Sequence, residues 1–356
     1  MRITGYDIET VVLRKDDPAW KFALGANPET HGVILRLEAG RTVGHGYASA
    51  TAHMGSVGGT LLAELEHFRP HVLGRNAADI AAIMTRLDRV LKGAPQAKAA
   101  VDCALHDLLA RELGVPLTTL LGGQSRREVP ILRILAIKTP EEMAAQAERL
   151  VGQGYRYLKI KVDGDVATDI ARVAAIRATV GDVVHLTIDA NQAYDAKDAI
   201  AAINGMATSR IDLVEQPVPA GDLDGLALVT RMVPVLVEAD EAAGSLAEIY
   251  DLVRHRRVDA ISLKIPKLGG LRNTLAAARI CELGGIRYRM GAAVGSRLLS
   301  GFALSAACAL PGIDYACELG EFERLLDDPF TGLAVRDGTL CLPDGPGTGV
   351  RRIEAA

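Results

Sequence analysis

YLKIKV, residues 157–162, is a short run rich in strand-forming residues, and it is followed by TDIARVAAIRATVG (168–181), with the apolar spacing of an amphipathic helix, and by HLTIDAN (185–191). A period of two puts Lys159 and Lys161 on one face of a strand and Leu158, Ile160 and Val162 on the other. The same strand-then-helix texture extends outward in both directions. Upstream it begins with ILRILAI (131–137) and EEMAAQAERLVGQG (141–154); downstream it continues through DLVEQP (212–217), VLVEADE (235–241), AISLKI (260–265), YRMGA (288–292) and YACEL (315–319). Repeated βα units predict a parallel sheet, and eight strands close the common barrel. The expected fold class is therefore α/β, a TIM-like (β/α)8 barrel.

The first third of the chain reads differently. Residues 3–13, 32–40 and 43–50 have strand character, the last two joined by a Gly-containing turn, which predicts an antiparallel meander. From about 58 to 121 the apolar residues recur at spacings of three and four, and LLGG closes that run as a helix C-terminal signal. An α+β capping domain over 1–126, completed by the turn-rich tail 325–356, is expected beside a barrel over 127–324.

Composition excludes several classes. The formal net charge of −4 comes without a basic run, so neither nucleic acid nor an acidic membrane surface is an expected partner. No apolar stretch reaches the ~18 residues that suggest a membrane span. The five cysteines are odd in number and never spaced as CxxC, so no disulfide framework or zinc cluster is expected, and a reducing cytoplasm suits them.

Lys161, Asp189, Glu215, Asp240 and Lys264 recur near the ends of the expected strands at spacings of 24 to 28 residues, the length of one βα unit. In a parallel barrel the C-terminal strand ends open onto one mouth, so equivalent positions in successive units converge there. Three converging carboxylates repel unless a cation neutralises them. Oxygen ligands without His or Cys suit a hard ion, Mg2+ first and Mn2+ second. Any one of these acids alone reads equally well as a cap on the following helix. Lys159 and Lys161 are expected to point inward, where burial and mutual repulsion push ammonium groups down in pKa and make an amine available as a general base. Lys264, on the sixth strand, lies across the barrel from Lys161. Lys267 reads as a surface lysine, and His185 and His255 as structural or exposed.

Taken together, HDLLARELGVPLTTLLGG, LKIKV, TIDANQAY, LVEQP, EADE and ISLKIPKLGGL, in that order, resemble the enolase superfamily, specifically its muconate-lactonizing-enzyme subgroup within the mandelate racemase/muconate lactonizing enzyme family. The resemblance spans nearly the whole chain and implies a modified barrel of (β/α)7β type. It implies that Asp189, Glu215 and Asp240 bind Mg2+, that Lys161 and Lys264 are an acid/base pair, and that Lys159 and Asn191 assist near the substrate carboxylate and metal. Glu318, in ACELGEF, resembles the acidic residue of muconate cycloisomerases, whereas the DxD of dipeptide epimerases is absent. No His follows the seventh strand, as a mandelate-racemase-type site requires. Glu238 falls outside the family pattern; on the same strand face as Asp240, it is expected to pair with Lys159 or Ser262 unless the strand register is displaced.

The resemblance also implies that substrate choice lies in capping-domain loops around Trp20 to Asn27 and His53 to Gly59, that the substrate is a small carboxylate, and that the chain forms a homo-oligomer. Trp20 and Phe22 read either as substrate contacts or as core of the small sheet, and Gly55, Gly58 and Gly59 suit a mobile lid. The expected function is a Mg2+-dependent isomerase working through an enediolate, either a muconate-type cycloisomerase or a racemase/epimerase of an N-substituted amino acid. Alternatives are a dehydratase of a hydroxy acid or hydroxyproline-like carboxylate on the same scaffold, and a barrel that binds without catalysis.

Overall fold

The computed structural model describes residues 1–291, 293–313 and 315–353; Ala292 of the seventh strand motif and residues 354–356 of the expected tail lie outside the described residues. An antiparallel meander forms from β1 (Gly5–Arg14), β2 (Glu29–Ala39) and β3 (Thr42–Ser49), with β2 in the centre. Helices α1 (Gly58–Val72), α2 (Ile80–Val90) and α3 (Pro95–Glu112) cover it, and Leu35, Leu37, Phe68, Leu87 and Leu105 lie in the shared core. The fit of α3 on β3 depends on missing side chains: a Cβ at Gly46 would stand 1.9 Å from the Ala100 carbonyl oxygen. Gly46→Ala is therefore expected to destabilise the chain by at least about 1–3 kcal/mol, seen as a lower urea midpoint at unchanged slope.

The second sheet is parallel and runs in sequence order through β4 (Leu132–Leu135), β5 (Tyr157–Lys161), β6 (His185–Asp189), β7 (Leu213–Glu215), β8 (Leu236–Ala239), β9 (Ala260–Leu263) and β10 (Arg287–Met290). An eighth segment closes the ring. Cys317 donates its N–H to Pro130 O at 3.0 Å and accepts from Leu132 N at 2.9 Å, while Glu318 N donates to Met290 O at 3.0 Å, so residues 317–318 sit between β10 and β4. The result is a barrel of (β/α)7β type carrying an α+β capping domain.

Each strand leads into a helix whose start is written locally. Thr139 and Glu142 form a capping box for α4 (Pro140–Gly152), Asp165 caps α5 (Val166–Val180), and Asp195 caps α6 (Ala196–Ala207). Asp222 caps α7 (Leu223–Met232), Ser245 caps α8 (Leu246–Arg254), α9 spans Leu271–Gly284, and Ser296 caps α10 (Arg297–Ala309). The α-helices that follow Asp189, Glu215 and Asp240 are thus capped by Asp195, Asp222 and Ser245, and Asp240, at the start of the short turn Glu241–Ala243, makes no side-chain cap bond, which removes the capping reading for all three.

Strand alternation sorts the barrel side chains. Leu158, Ile160, Leu186, Ile188, Val214, Val237 and Ile261 are buried outward against the helices. Facing inward, where branched aliphatics fill most barrels, stand Lys159, Thr187, Glu215, Glu238, Ser262 and Arg289, none more than 1% exposed. The segment after the barrel crosses back over the molecule. Leu326 N donates to Arg14 O at 2.9 Å, Arg14 pairs with Asp327 at 2.7 Å, Arg352 pairs with Glu9 at 2.6 Å, and Thr339–Cys341 pairs antiparallel with Glu128–Pro130.

Candidate active site

A cavity of about 400 Å3 lies between the capping domain and the C-terminal ends of the barrel strands. Trp20, Phe22 and His53 line it from the capping side, and Lys161, Asp189 and Lys264 from the barrel. Lys159, Asn191 and Glu318 also reach it, whereas Glu215 and Asp240 sit one contact deeper and are fully buried.

The register explains why these groups meet. Lys161 is paired with Asp189 and Asp189 with Glu215 across neighbouring strands, which brings these charges together at one end of the sheet, whereas Glu238, paired with Glu215, lies deeper in the barrel. The chain then turns sharply, with Asn191 (φ 41°), Gln192 (φ 70°) and Gln216 (φ 38°) in the left-handed region just past the two acids. Such strain persists only where surrounding contacts fix it. Here Gln216 Oε1 accepts from Asp240 N at 2.9 Å and from Ala242 N at 3.1 Å, tying the ends of β7 and β8 together.

Lysines stand between the acids. Lys159 Nζ lies 2.8 Å from Asp189 Oδ2 and 2.7 Å from Glu215 Oε2, and also donates to Glu318 Oε1. Lys161 Nζ donates to Asp189 Oδ2 at 2.5 Å and Asn191 Oδ1 at 2.6 Å, and Lys264 Nζ donates to Asp240 Oδ2. The expected downward shift of the inward lysines is not what these contacts produce at Lys159. Burial alone would depress it, but the carboxylates of Asp189, Glu215 and Glu318 outweigh burial and hold its ammonium well above the usual lysine value. Burial likewise pulls Lys264 down, and Asp240, followed by Glu215, more than reverses it. Opposite charge at hydrogen-bond distance outweighs burial at both lysines.

Two further expectations are corrected. Lys267 is no surface residue: it is 5% exposed and donates to Asp240 O at 2.6 Å, Asp240 Oδ1 at 2.8 Å and Ser262 O at 2.9 Å. The turn of helix that follows Lys264 brings a residue three positions on back over the strand end, a spacing visible in KIPK. Glu238 pairs with neither Lys159 nor Ser262; Arg289 takes both of its oxygens. An unexplained interior acid called for an interior base, and Arg289, alternating with Tyr288 on the seventh strand, was the signal. His185 and His255 are exposed and pair with Asp212 and Asp251. Trp20 and Phe22 cluster with Ile134 and Ala136 at the barrel mouth rather than in the core of the small sheet. Their rings are 5.6 Å apart, and Phe22 is 5.6 Å from His53.

Among the described residues no three acidic, histidine or cysteine groups face a common point as a finished ligand cage. The donor chemistry nevertheless fits a hard divalent ion. Asp189, Glu215 and Asp240 supply only oxygen, and Glu215 Oε1 and Glu241 Oε2 are buried acceptors without a hydrogen-bond partner among the described residues. Glu241, whose other oxygen accepts from Asn191 Nδ2 at 3.1 Å, adds an acid that the strand pattern did not single out.

Residues 7–122 match the mandelate racemase / muconate lactonizing enzyme N-terminal domain, and residues 142–356 match the enolase C-terminal domain-like family. The chain is 34% identical over 333 residues to chloromuconate cycloisomerase CbnB of Cupriavidus necator, covering 89% of this chain and 88% of that one. It superimposes with a TM-score of 0.94 on the Enterococcus faecalis dipeptide epimerase complexed with Mg and L-Leu-L-Tyr, at 33% identity over 98% of this chain and 99% of that one. With the N-succinyl Arg/Lys racemase of Bacillus cereus the TM-score is 0.96, at 27% identity over 99% and 96% of the two chains. A barrel closed by residues 317–318, a capping domain over its mouth and family matches along both halves lead to one conclusion: the chain is an enzyme of the mandelate racemase / muconate lactonizing enzyme family, within the enolase superfamily.

Proposed function

We propose that the chain is a Mg2+-dependent racemase or epimerase of a small carboxylate with an α-proton, an N-substituted amino acid being the favoured class. One observation carries this reading: Lys161 and Lys264 line a single cavity from opposite sides of the barrel. Lys161 ends β5 and Lys264 follows β9, four strand positions apart in the sheet order, so across a ring of eight they face one another. A substrate held between them meets one lysine on each face of its α-carbon, the arrangement that removal and return of a proton with inversion requires.

Asp189, Glu215 and Asp240 are the residues to hold Mg2+, with Mn2+ as a substitute. When bound, the ion supplies positive charge opposite the substrate carboxylate as that group takes on further negative charge. The chain itself does the rest. Asn191 Oδ1 orients Lys161, while Trp20, Phe22 and Ile134 exclude water and face the part of the substrate remote from the carboxylate. Glu318 is held by Lys159 and Arg289, which disfavours a role in receiving the free ammonium of a dipeptide. A cycloisomerase is the second reading, supported by the likeness to the chloromuconate enzyme, because protonating the enolate left by ring closure uses the same lysines.

The test is a panel of carboxylates, N-acylated amino acids, dipeptides and muconate included, incubated with enzyme and Mg2+ in D2O and followed by NMR and polarimetry. Loss of the α-proton signal together with decaying optical rotation is expected for an N-acylated amino acid. Lactone formation from muconate without exchange elsewhere selects the second reading. With a β-hydroxy acid added to the panel, loss of the signal from the proton on its hydroxyl-bearing carbon selects dehydration and overturns both.

A further inference from the structure

Arg289 lies on β10, in the middle of the barrel and below the cavity, and is 1% exposed. Its guanidinium reaches three carboxylates from three different parts of the ring. Nε lies 3.1 Å from both oxygens of Glu238 on β8, and Nη2 lies 2.6 Å from Glu238 Oε2. Nη1 donates to Glu318 Oε1 at 2.9 Å in the closing segment, and Nη2 also donates to Glu215 Oε2 on β7. Lys159 Nζ binds the same oxygens, Glu215 Oε2 and Glu318 Oε1, from the other side. Glu215 therefore has one oxygen gripped twice and the other, Oε1, buried without a partner among the described residues.

We infer that Arg289 is a positioning residue that clamps Glu215 and Glu318 from beneath, fixing Glu215 so that Oε1 is the oxygen offered to a divalent cation. The inference rests on the metal reading given above and extends it to the floor of the site. A planar fork of five donors suits the task, since it can meet carboxylates in several directions at fixed angles, whereas a lysine offers one point charge. Glu238 has a defined part. By taking Nε and one edge of the fork it anchors the guanidinium to β8 and balances its charge in a site where an unpaired ion is costly. It does so without contributing to the mouth, which accounts for an acid outside the family pattern.

The geometry also supplies a route for the test. A second cavity, of about 210 Å3 at the opposite end of the barrel, is lined by Glu238, Arg289 and Tyr315 and is large enough for a guanidinium ion to enter. Mn2+ binding to the 356-residue chain, followed by electron paramagnetic resonance, is the readout, with circular dichroism and thermal unfolding as checks on folding. Outer partners of metal ligands typically carry about 10–100-fold in affinity, and folded Arg289→Met is expected to lose that much, with a lower unfolding temperature because Glu238 is left without its base. Arg289→Lys keeps the charge but not the fork and is expected to lose at least about fivefold. Millimolar guanidinium should restore part of the affinity to Arg289→Ala and do nothing for the wild type.

A role confined to packing would lower the unfolding temperature and leave Mn2+ affinity of the folded protein unchanged. Folded Arg289→Met binding Mn2+ within twofold of wild type overturns the clamp; if that variant does not fold, Arg289→Lys with wild-type affinity does the same. Wild-type protein that binds no Mn2+ overturns the metal reading, and the clamp with it. Weakened binding in the variants against intact binding in the wild type supports both.

Discussion

Lys161→Ala is expected to slow α-proton exchange by about 10²–10⁴-fold, the usual contribution of a positioned general base, without weakening Mn2+ binding. Lys161 Nζ contacts Asp189 Oδ2 and Asn191 Oδ1 and no backbone group, so its removal takes away the proton acceptor and leaves the carboxylate set in place. Asp189 also keeps Lys159 at 2.8 Å, so the truncation does not strand a buried charge. This pattern is the reverse of that expected for Arg289, where metal affinity falls first. Deuterium incorporation measured by NMR on the substrate found in the panel is the check. Exchange at the wild-type rate in Lys161→Ala would remove the residue from the mechanism, whatever the fate of the metal.

Glu321→Ala is expected to destabilise the chain by about 3–5 kcal/mol, the typical cost of breaking a buried ion pair from one side. Glu321 is 3% exposed and lies between Arg133, at 3.0 Å, and Arg324, at 2.7 Å; it also accepts from Ile134 N at 3.2 Å. Removing it leaves two buried guanidinium groups facing one another. The contact matters beyond its own energy, because Arg324 O accepts from Asp16 N at 2.8 Å and so joins the barrel to the capping domain. Burial alone would raise the Glu321 carboxyl, and Arg133 and Arg324 more than reverse this, holding it below the usual glutamate value. A carboxyl depressed in the folded state stabilises the fold fully above its unfolded pKa, ~4.3, and loses that contribution as acidification reaches the lower folded value. The gap in urea midpoint between wild type and Glu321→Ala should therefore be widest at neutral pH and shrink below about pH 4. A constant gap across that range would mean the side chain acts through packing rather than charge.

The barrel was legible because its strands are short, strongly patterned and repeated. Leu158 and Ile160 facing helices, with Lys159 and Lys161 facing inward, follow from a period of two and need no tertiary knowledge. The rim residues were legible for the same reason, since equivalent positions in successive units share one end of the sheet. What resisted reading depends on which opposite charges meet. Lys267 reads as an interior residue only once KIPK is taken as a turn of helix that carries it back over Asp240. Arg289 and Glu238 are 51 residues apart and on non-adjacent strands, β10 and β8, with β9 between them, so only the inward curl of the sheet and the length of the arginine make them partners. The pKa direction at Lys159 failed for a related reason. A like-charged neighbour two residues away is visible in KIK, whereas the three acids that override it arrive from β6, β7 and the closing segment.

The seam of the ring, where residues 317–318 slot between Met290 and Pro130, has a bearing on synthesis. The meander is complete by Ser49, yet strands β4 and β10 stay unjoined until residues 317–318 have been made, and Arg14 and Glu9 wait longer still for Asp327 and Arg352. From the completion of β10 until the closing segment arrives, the nascent chain therefore carries an open sheet with two bare edges, the state most prone to pairing with a neighbour. Loss of the segment after residue 324 would strip supporting contacts from the meander.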